Sequence, residues 1–131
     1  MKTLIAIILT AIFSLVLGIY FPWWSIAIAA FGISLAVSQN SLAAFSSGFL
    51  GVFIAWGLYS FWIDRANESI LSTRIADLLP LGGNPAFLIL FTAVLGGLIG
   101  GLSALSGNFL IRPGKSRRDS ENYYQNKFGP R

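Results

Sequence analysis

The chain contains neither cysteine nor histidine. Disulfides and thiolate chemistry are therefore excluded, histidine acid–base work is excluded, and zinc or haem sites lose their commonest ligands. The missing cysteine says nothing about redox compartment, because its absence suits either kind. Charge is scarce: Asp, Glu, Lys and Arg make up 11% of the 131 residues, while 55% are hydrophobic. A soluble domain carries about 25% charged residues, so this chain cannot clothe itself in a polar surface. The charges it does have are unevenly placed. The net charge is +4, and six of the nine Lys and Arg fall between Arg112 and Arg131. Such a distribution is a topology signal and not a nucleic-acid footprint, and no nucleic-acid partner is expected.

What the chain has instead is four apolar runs separated by short polar breaks. They predict an all-α integral membrane protein, a compact bundle of four transmembrane helices with a short interfacial amphipathic helix between the third and fourth. The alternating pattern of a membrane β-barrel is absent. The spans are read at 4–19, 23–39, 42–63 and 85–111. The first follows Lys2 like a signal peptide, yet no small-x-small cleavage pattern follows it. The aromatic cluster Tyr20, Phe21, Trp23 and Trp24 around Pro22 stands there instead, as at a membrane–water interface, so the helix is expected to be retained. The second run is apolar only as far as Val37, and its helix is expected to continue through Ser38, Gln39 and Asn40 to the interface. Asn40 or Ser41 then caps the third. Over 66–79, Leu71, Ile75 and Leu78 recur at helical spacing opposite Ser69, Ser72, Thr73, Ala76 and Asp77, and Pro80 ends the element. Residues 112–131 are basic, lack periodicity, and are expected to form a disordered cytoplasmic tail.

The most informative stretch lies in the last run. At about 100° per residue, Ala93, Gly96, Gly97, Gly100, Gly101, Ser103, Ala104, Gly107 and Asn108 share an arc of about 160°. A helix glycine costs about 1 kcal/mol relative to alanine, so the five here need a compensating gain. In a bilayer that gain is close backbone approach. The third run carries a matching stripe of Ala44, Ser47, Gly48, Gly51 and Ala55. Both stripes lie toward the same end of an antiparallel pair, so the two helices are expected to close on each other there. Tyr59 and Trp62 are expected to wedge them apart beyond it.

An ionisable residue deep in a membrane marks function by default, and no apolar run holds one in its middle. Small multidrug transporters have a similar length and four spans, but need a glutamate in the first helix, where 4–19 has no acid. Fluoride channels are usually built as dual-topology pairs, whereas the charge bias here fixes one orientation. No family resemblance reaches a motif. Asp64, Arg65, Glu68, Arg74 and Asp77 form a candidate outer-face polar patch, read first as a solvated helix face with an Arg74–Asp77 pair. Asp64 and Glu68 share a helical face, yet nothing adjacent supplies a nucleophile or a metal set. No enzyme activity, cofactor or metal is expected. At the opposite rim, Ser38, Gln39, Asn40, Ser41, Ser47, Ser103, Ser106 and Asn108 are expected to cap helices and bond between them, the other reading being a vestibule. Arg112, Lys115, Arg117 and Arg118 form a basic cluster suited to anionic headgroups.

With an even number of spans, Lys2 and the tail cations share one side, and both termini are expected in the cytoplasm at a plasma or inner membrane. The chain therefore reads as a small non-enzymatic accessory or scaffolding subunit of a membrane complex, with the bilayer and a homo- or hetero-oligomeric membrane partner. The alternative is a small transporter or channel subunit that forms its pathway as an oligomer.

Overall fold

Sixteen of the twenty residues after Ile111 are helical in the computed structural model, where irregular chain is expected from sequence. The model describes the backbone of residues 1–111 and 113–130, and the side chains of 1–111 and 120–130. Its elements in chain order are α1 (Lys2–Tyr20), α2 (Ser25–Ala36), α3 (Ser41–Ala66), α4 (Ile70–Leu78), α5 (Pro85–Ile111) and α6 (Pro113–Phe128). Among the described residues there is no strand.

Three helices, α1, α3 and α5, are long and apolar enough to cross a membrane. The fourth expected span is not. Helix α2 has 12 residues, about 18 Å at 1.5 Å per residue, against a hydrocarbon core of about 30 Å. It ends because Val37 turns extended at φ −105° and ψ 102°, and Asn40, also extended, serves as N-cap of α3. The Ser38, Gln39 and Asn40 segment prefers caps and turns to helix interiors, and here that preference prevails. The chain nevertheless completes its return. Ser38, Gln39, Asn40 and Ala43 line one pocket with Lys2 and Thr3, and Asn108 near the end of α5 donates to the Gln39 carbonyl at 2.8 Å. The start of α1, the α2–α3 junction and the end of α5 therefore lie at one end of the molecule.

Helix α3 is the central element, packed on α5 along one side and on α1 along another, while α2 packs on α1 and α5. The pairing of α3 with α5 is antiparallel: Gly101 lies against Phe45, Gly97 against Phe49, Gly96 against Val52 and Trp56, and Gly57 against Ala93. The closest approach is between Gly48 and Gly100. A Cβ on Gly100 would stand 2.6 Å from the Gly48 carbonyl oxygen and 2.9 Å from Val52 Cβ, distances no real side chain adopts. Gly48 in turn abuts the Gly100 carbonyl and Ala104. The small stripe on α3 serves two neighbours, not one. Gly51 faces α1, where its Cβ would meet Thr10 Cβ at 2.8 Å and the Ile7 carbonyl at 3.0 Å. Small residues announce close approach without naming the partner, which is why periodicity assigned Gly51 to α5.

Tyr59 and Trp62 do not wedge α3 from α5. Trp62 is 69% exposed, and Tyr59 lines a pocket with Ser14 and Gly18 of α1, which Trp56, packed on Gly96, also borders. Helix α4 buries Ala76 while Leu71, Ile75 and Leu78 point outward. Its apolar stripe therefore faces away from the protein. Among the described residues helix α6 touches only α5, and its described side chains are all exposed. Its Pro113 sits at the first helical position, where a missing N–H costs nothing. Lys127 bonds the Tyr123 hydroxyl one turn back at 3.2 Å, and the Tyr124 and Phe128 rings stack at the same spacing.

Two glycine substitutions separate close packing from intrinsic helix preference. Gly100→Ala is expected to destabilise the folded chain by about 1–3 kcal/mol through overpacking. Gly18, which has nothing within 4 Å of its Cβ position, is expected to accept alanine neutrally or with a gain of up to about 1 kcal/mol. Thermal unfolding in mild detergent measures both; equal behaviour would contradict the packing assigned to the α3–α5 seam.

Candidate functional site

The polar atoms of this chain gather at the two ends of the helices, and each end has a different character. At the end shared by Lys2, Gln39 and Asn108, the amide side chains organise the junction. Asn108 is 1% exposed, and its Nδ2 donates to the Gln39 carbonyl, a backbone group freed by the break after α2. Ser34, also buried, donates its hydroxyl to the Ala104 carbonyl at 2.5 Å, and a Cβ on Gly107 would crowd the Phe31 carbonyl of α2 at 2.8 Å. The last turns of α5 thus hold α2 and the non-helical 37–40 segment in place. Gln39 itself is 5% exposed, yet neither atom of its carboxamide has a partner. It lines a pocket of about 230 Å³ with Lys2, Thr3, Ser38, Asn40 and Ala43. Ser47 spends its hydroxyl on the Ala44 carbonyl and Ser106 on the Leu102 carbonyl, so neither is aimed into a shared vestibule.

At the opposite end a second pocket of about 180 Å³ lies between α1 and α3, lined by Ser14, Leu15, Gly18, Trp23, Trp56 and Tyr59. Ser14 is 1% exposed and its hydroxyl is unpartnered. The lining is otherwise aromatic and aliphatic. An apolar chain fits those walls better than a polar solute does.

The expected outer-face patch is not one surface. Asp64 is buried and accepts a hydrogen bond from the Ser69 hydroxyl at 2.8 Å. That bond spans a turn in which Glu68 and Ser69 take positive φ values of 53° and 57°, a conformation that costs a non-glycine residue about 1–2 kcal/mol. Asp64 is therefore a structural clasp for the α3–α4 corner. Arg65 lies over the Phe61 ring at 5.1 Å, and Glu68, Arg74 and Asp77 are exposed. Among the described residues no ion pair joins Arg74 to Asp77. Asp77 lies instead beside Gly83, in the turn where Gly82 and Gly83 take φ +65° and +71°. Asn84 then caps α5, accepting the Ala86 N–H at 3.0 Å.

On the packing faces, Ala93, Gly96, Gly97, Gly100, Gly101, Ala104, Gly107 and Asn108 are buried on α5, with Ser103 half-buried. Ala44, Ser47, Gly48, Gly51 and Ala55 are buried on α3 together with Val52. Sequence reasoning missed Val52 and the ladder of Phe45, Phe49 and Phe53, whose rings stack at about 6 Å along α3. The i, i+4 spacing of those three phenylalanines was the available signal. The basic cluster Arg112, Lys115, Arg117 and Arg118 lies outside the residues whose side chains are described.

The Asn108 bond is open to a direct check. Asn108→Leu strands the Gln39 carbonyl and is expected to cost about 1–3 kcal/mol of stability. Leu102→Ile, on an exposed face of α5, is expected to stay within about 0.5 kcal/mol. Denaturant titration in detergent compares the two, and a silent Asn108→Leu would remove Asn108 from its assigned role. No known family model, curated protein or solved structure matches this chain.

Proposed function

We propose that this chain is a non-enzymatic subunit of a plasma- or inner-membrane assembly, which it scaffolds or stabilises through its helix surfaces. The observation that carries the reading is the contrast between inside and outside. The α3–α5 seam is closed backbone against backbone at Gly48 and Gly100. Large apolar side chains meanwhile project outward from every long helix, among them Ile8, Ile12, Ile54, Leu58, Leu95 and Leu102. Lipid tails and the helices of a membrane partner are the surroundings that such an exterior suits.

In this reading the chain traverses the bilayer four times, the second time as α2 followed by the non-helical residues 37–40. Those residues add at most about 13 Å to the helix at roughly 3.3 Å each. Irregular backbone at membrane depth is tolerated where it is buried in protein, and Asn108 supplies that burial for Gln39. The charge balance supports a cytoplasmic location for both termini. With four traverses, Lys2 and the six tail cations fall on one side in sequence order, while Asp64, Glu68 and Asp77 outnumber Arg65 and Arg74 on the other. The exposed Tyr123, Tyr124 and Phe128 of α6 extend the available docking surface beyond the membrane.

A second reading, a small transporter or channel working as an oligomer, draws on the broken second traverse, since interrupted helices recur at transport sites. Cysteine labelling separates the two, and the native chain has no thiol to interfere. Cysteines placed at Ser47, Gly97 and Gly101 are expected to resist water-soluble thiol reagents in membranes, and reaction at these positions would favour the pore. Purification in gentle detergent is expected to recover a partner in fixed ratio. A lone monomer under several mild conditions would count against the scaffold.

A further inference from the structure

The pocket between α1 and α3 joins three aromatic residues to an open floor. Trp56 and Tyr59 stand three residues apart on α3, which places them side by side on the helix, and Trp23 meets them from the corner after α1. Leu15 and Gly18 supply the α1 wall, and nothing lies within 4 Å of the Gly18 Cβ position. Two of the aromatic residues are held by neighbours. Ring atoms of Trp56 stand 3.4 Å from the Gly96 Cβ position, and the Tyr59 ring lies 6.5 Å from that of Trp62. The volume of about 180 Å³ is larger than a cavity of about 150 Å³ that holds benzene.

We infer that this pocket binds a quaternary ammonium group. Its walls favour a guest with an apolar surface, and a quaternary ammonium is a cation wrapped in alkyl groups, with no N–H to satisfy. Aliphatic walls would hold a neutral hydrocarbon equally well. Trp and Tyr add the negative ring face that attracts a cation, Trp most strongly. The chain uses that attraction elsewhere: Arg65 lies over Phe61 at 5.1 Å and Lys127 over Tyr123 at 5.4 Å. Among the described residues no Lys or Arg takes the same place at Trp23, Trp56 or Tyr59, and none of the six lining residues is charged. A hydrated metal ion or a primary ammonium would have to shed water here without a carboxylate to replace it, a cost that an alkylated cation avoids. The group can arrive as a free solute or as a choline headgroup, and the pocket serves both in the same way. The inference does not depend on the scaffold role proposed above.

The test is an NMR titration of the full chain in a maltoside detergent, which carries no quaternary ammonium. The indole N–H resonances of Trp23 and Trp56, assigned by their loss in Trp23→Phe and Trp56→Phe, report on the pocket. One arm adds choline chloride against 3,3-dimethylbutan-1-ol, its uncharged carbon counterpart, at matched ionic strength. The other adds dihexanoylphosphatidylcholine against dihexanoylphosphatidylglycerol, which has the same chains without the ammonium. In at least one arm the ammonium ligand is expected to shift the indoles saturably, with an affinity at least about tenfold above that of its control. Saturation by choline identifies a site for the free cation, and saturation by the lipid alone identifies a headgroup site. Gly18→Leu, which places a side chain in the open floor, is expected to abolish the shift while thermal unfolding stays at or above that of the native chain. Tyr59→Leu keeps an apolar wall and is expected to lower the preference for the charged ligand by about fivefold. Equal response to each ammonium ligand and its control would overturn the proposal, as would indoles unmoved in both arms or a shift that survives Gly18→Leu.

Discussion

The backbone contact between Gly48 and Gly100 is the constraint from which the rest of the structure follows. Without side chains at these two positions, α3 and α5 approach until carbonyl oxygens and Cα atoms touch. Lipid offers no hydrophobic incentive for helices to associate, so dispersion over a closely fitted seam has to supply the attraction. The fit extends along both helices because the neighbours of the contact are matched in shape. Val52 fills the space over Gly96 and Gly100, and the rings of Phe45 and Phe49 lie over Gly101 and Gly97. Large side chains on α3 thus oppose bare backbone on α5. That complementarity gives the pair a single register, since a shift of one residue would place Val52 or Phe49 against the wrong surface.

Once the seam is set, the remaining elements are arranged around it. Helix α1 uses its own small stripe of Ala6, Thr10 and Ser14 to approach the side of α3 that Gly51 leaves open. Helix α2 occupies the angle between α1 and the lower part of α5, held by Ser34 and Gly107. The shortness of α2 has a consequence for chemistry. Because the helix stops at Ala36, the backbone of Ser38 and Gln39 leaves the helical ladder, and the Gln39 carbonyl is met by Asn108. The same break exposes the N-terminus of α3 beside Lys2 and orients Gln39 inward.

Much of this architecture is readable from residue spacing, and the parts that are not share a cause. The arc of small residues from Ala93 to Asn108 is visible because glycine is so unfavourable in a helix that five in one stretch demand a packing reason. The corner at Pro22, the turn at Gly82 and Gly83, and the Asn84 cap of α5 follow from backbone chemistry that is local to those residues. What spacing does not supply is which neighbour a small residue meets: periodicity places Gly51 with the α5-facing stripe, whereas it faces α1. Nor could it place Tyr59, whose direction depends on where Ser14 and Gly18 leave room. The length of α2 is not legible either, because Ser38, Gln39 and Asn40 carry no charge and fit a polar helix end, whereas their cap preference ends the helix. Asp64 illustrates the same limit. An acid at a helix end reads as surface, and only the fold brings Ser69 back to bind it.

The central claim is that α3 and α5 lie in antiparallel contact in one fixed register, and paired cysteines test it directly. The Cβ position of Gly57 stands 3.6 Å from Ala93 Cβ, inside the range of about 3.5–4.5 Å that a disulfide spans. Oxidation of membranes containing the chain with Gly57→Cys and Ala93→Cys is expected to give near-complete intramolecular cross-linking. Gly57→Cys with Leu98→Cys, which points outward from α5, is expected to give none. Absence of the first cross-link, or equal yields from the two pairs, would contradict the account.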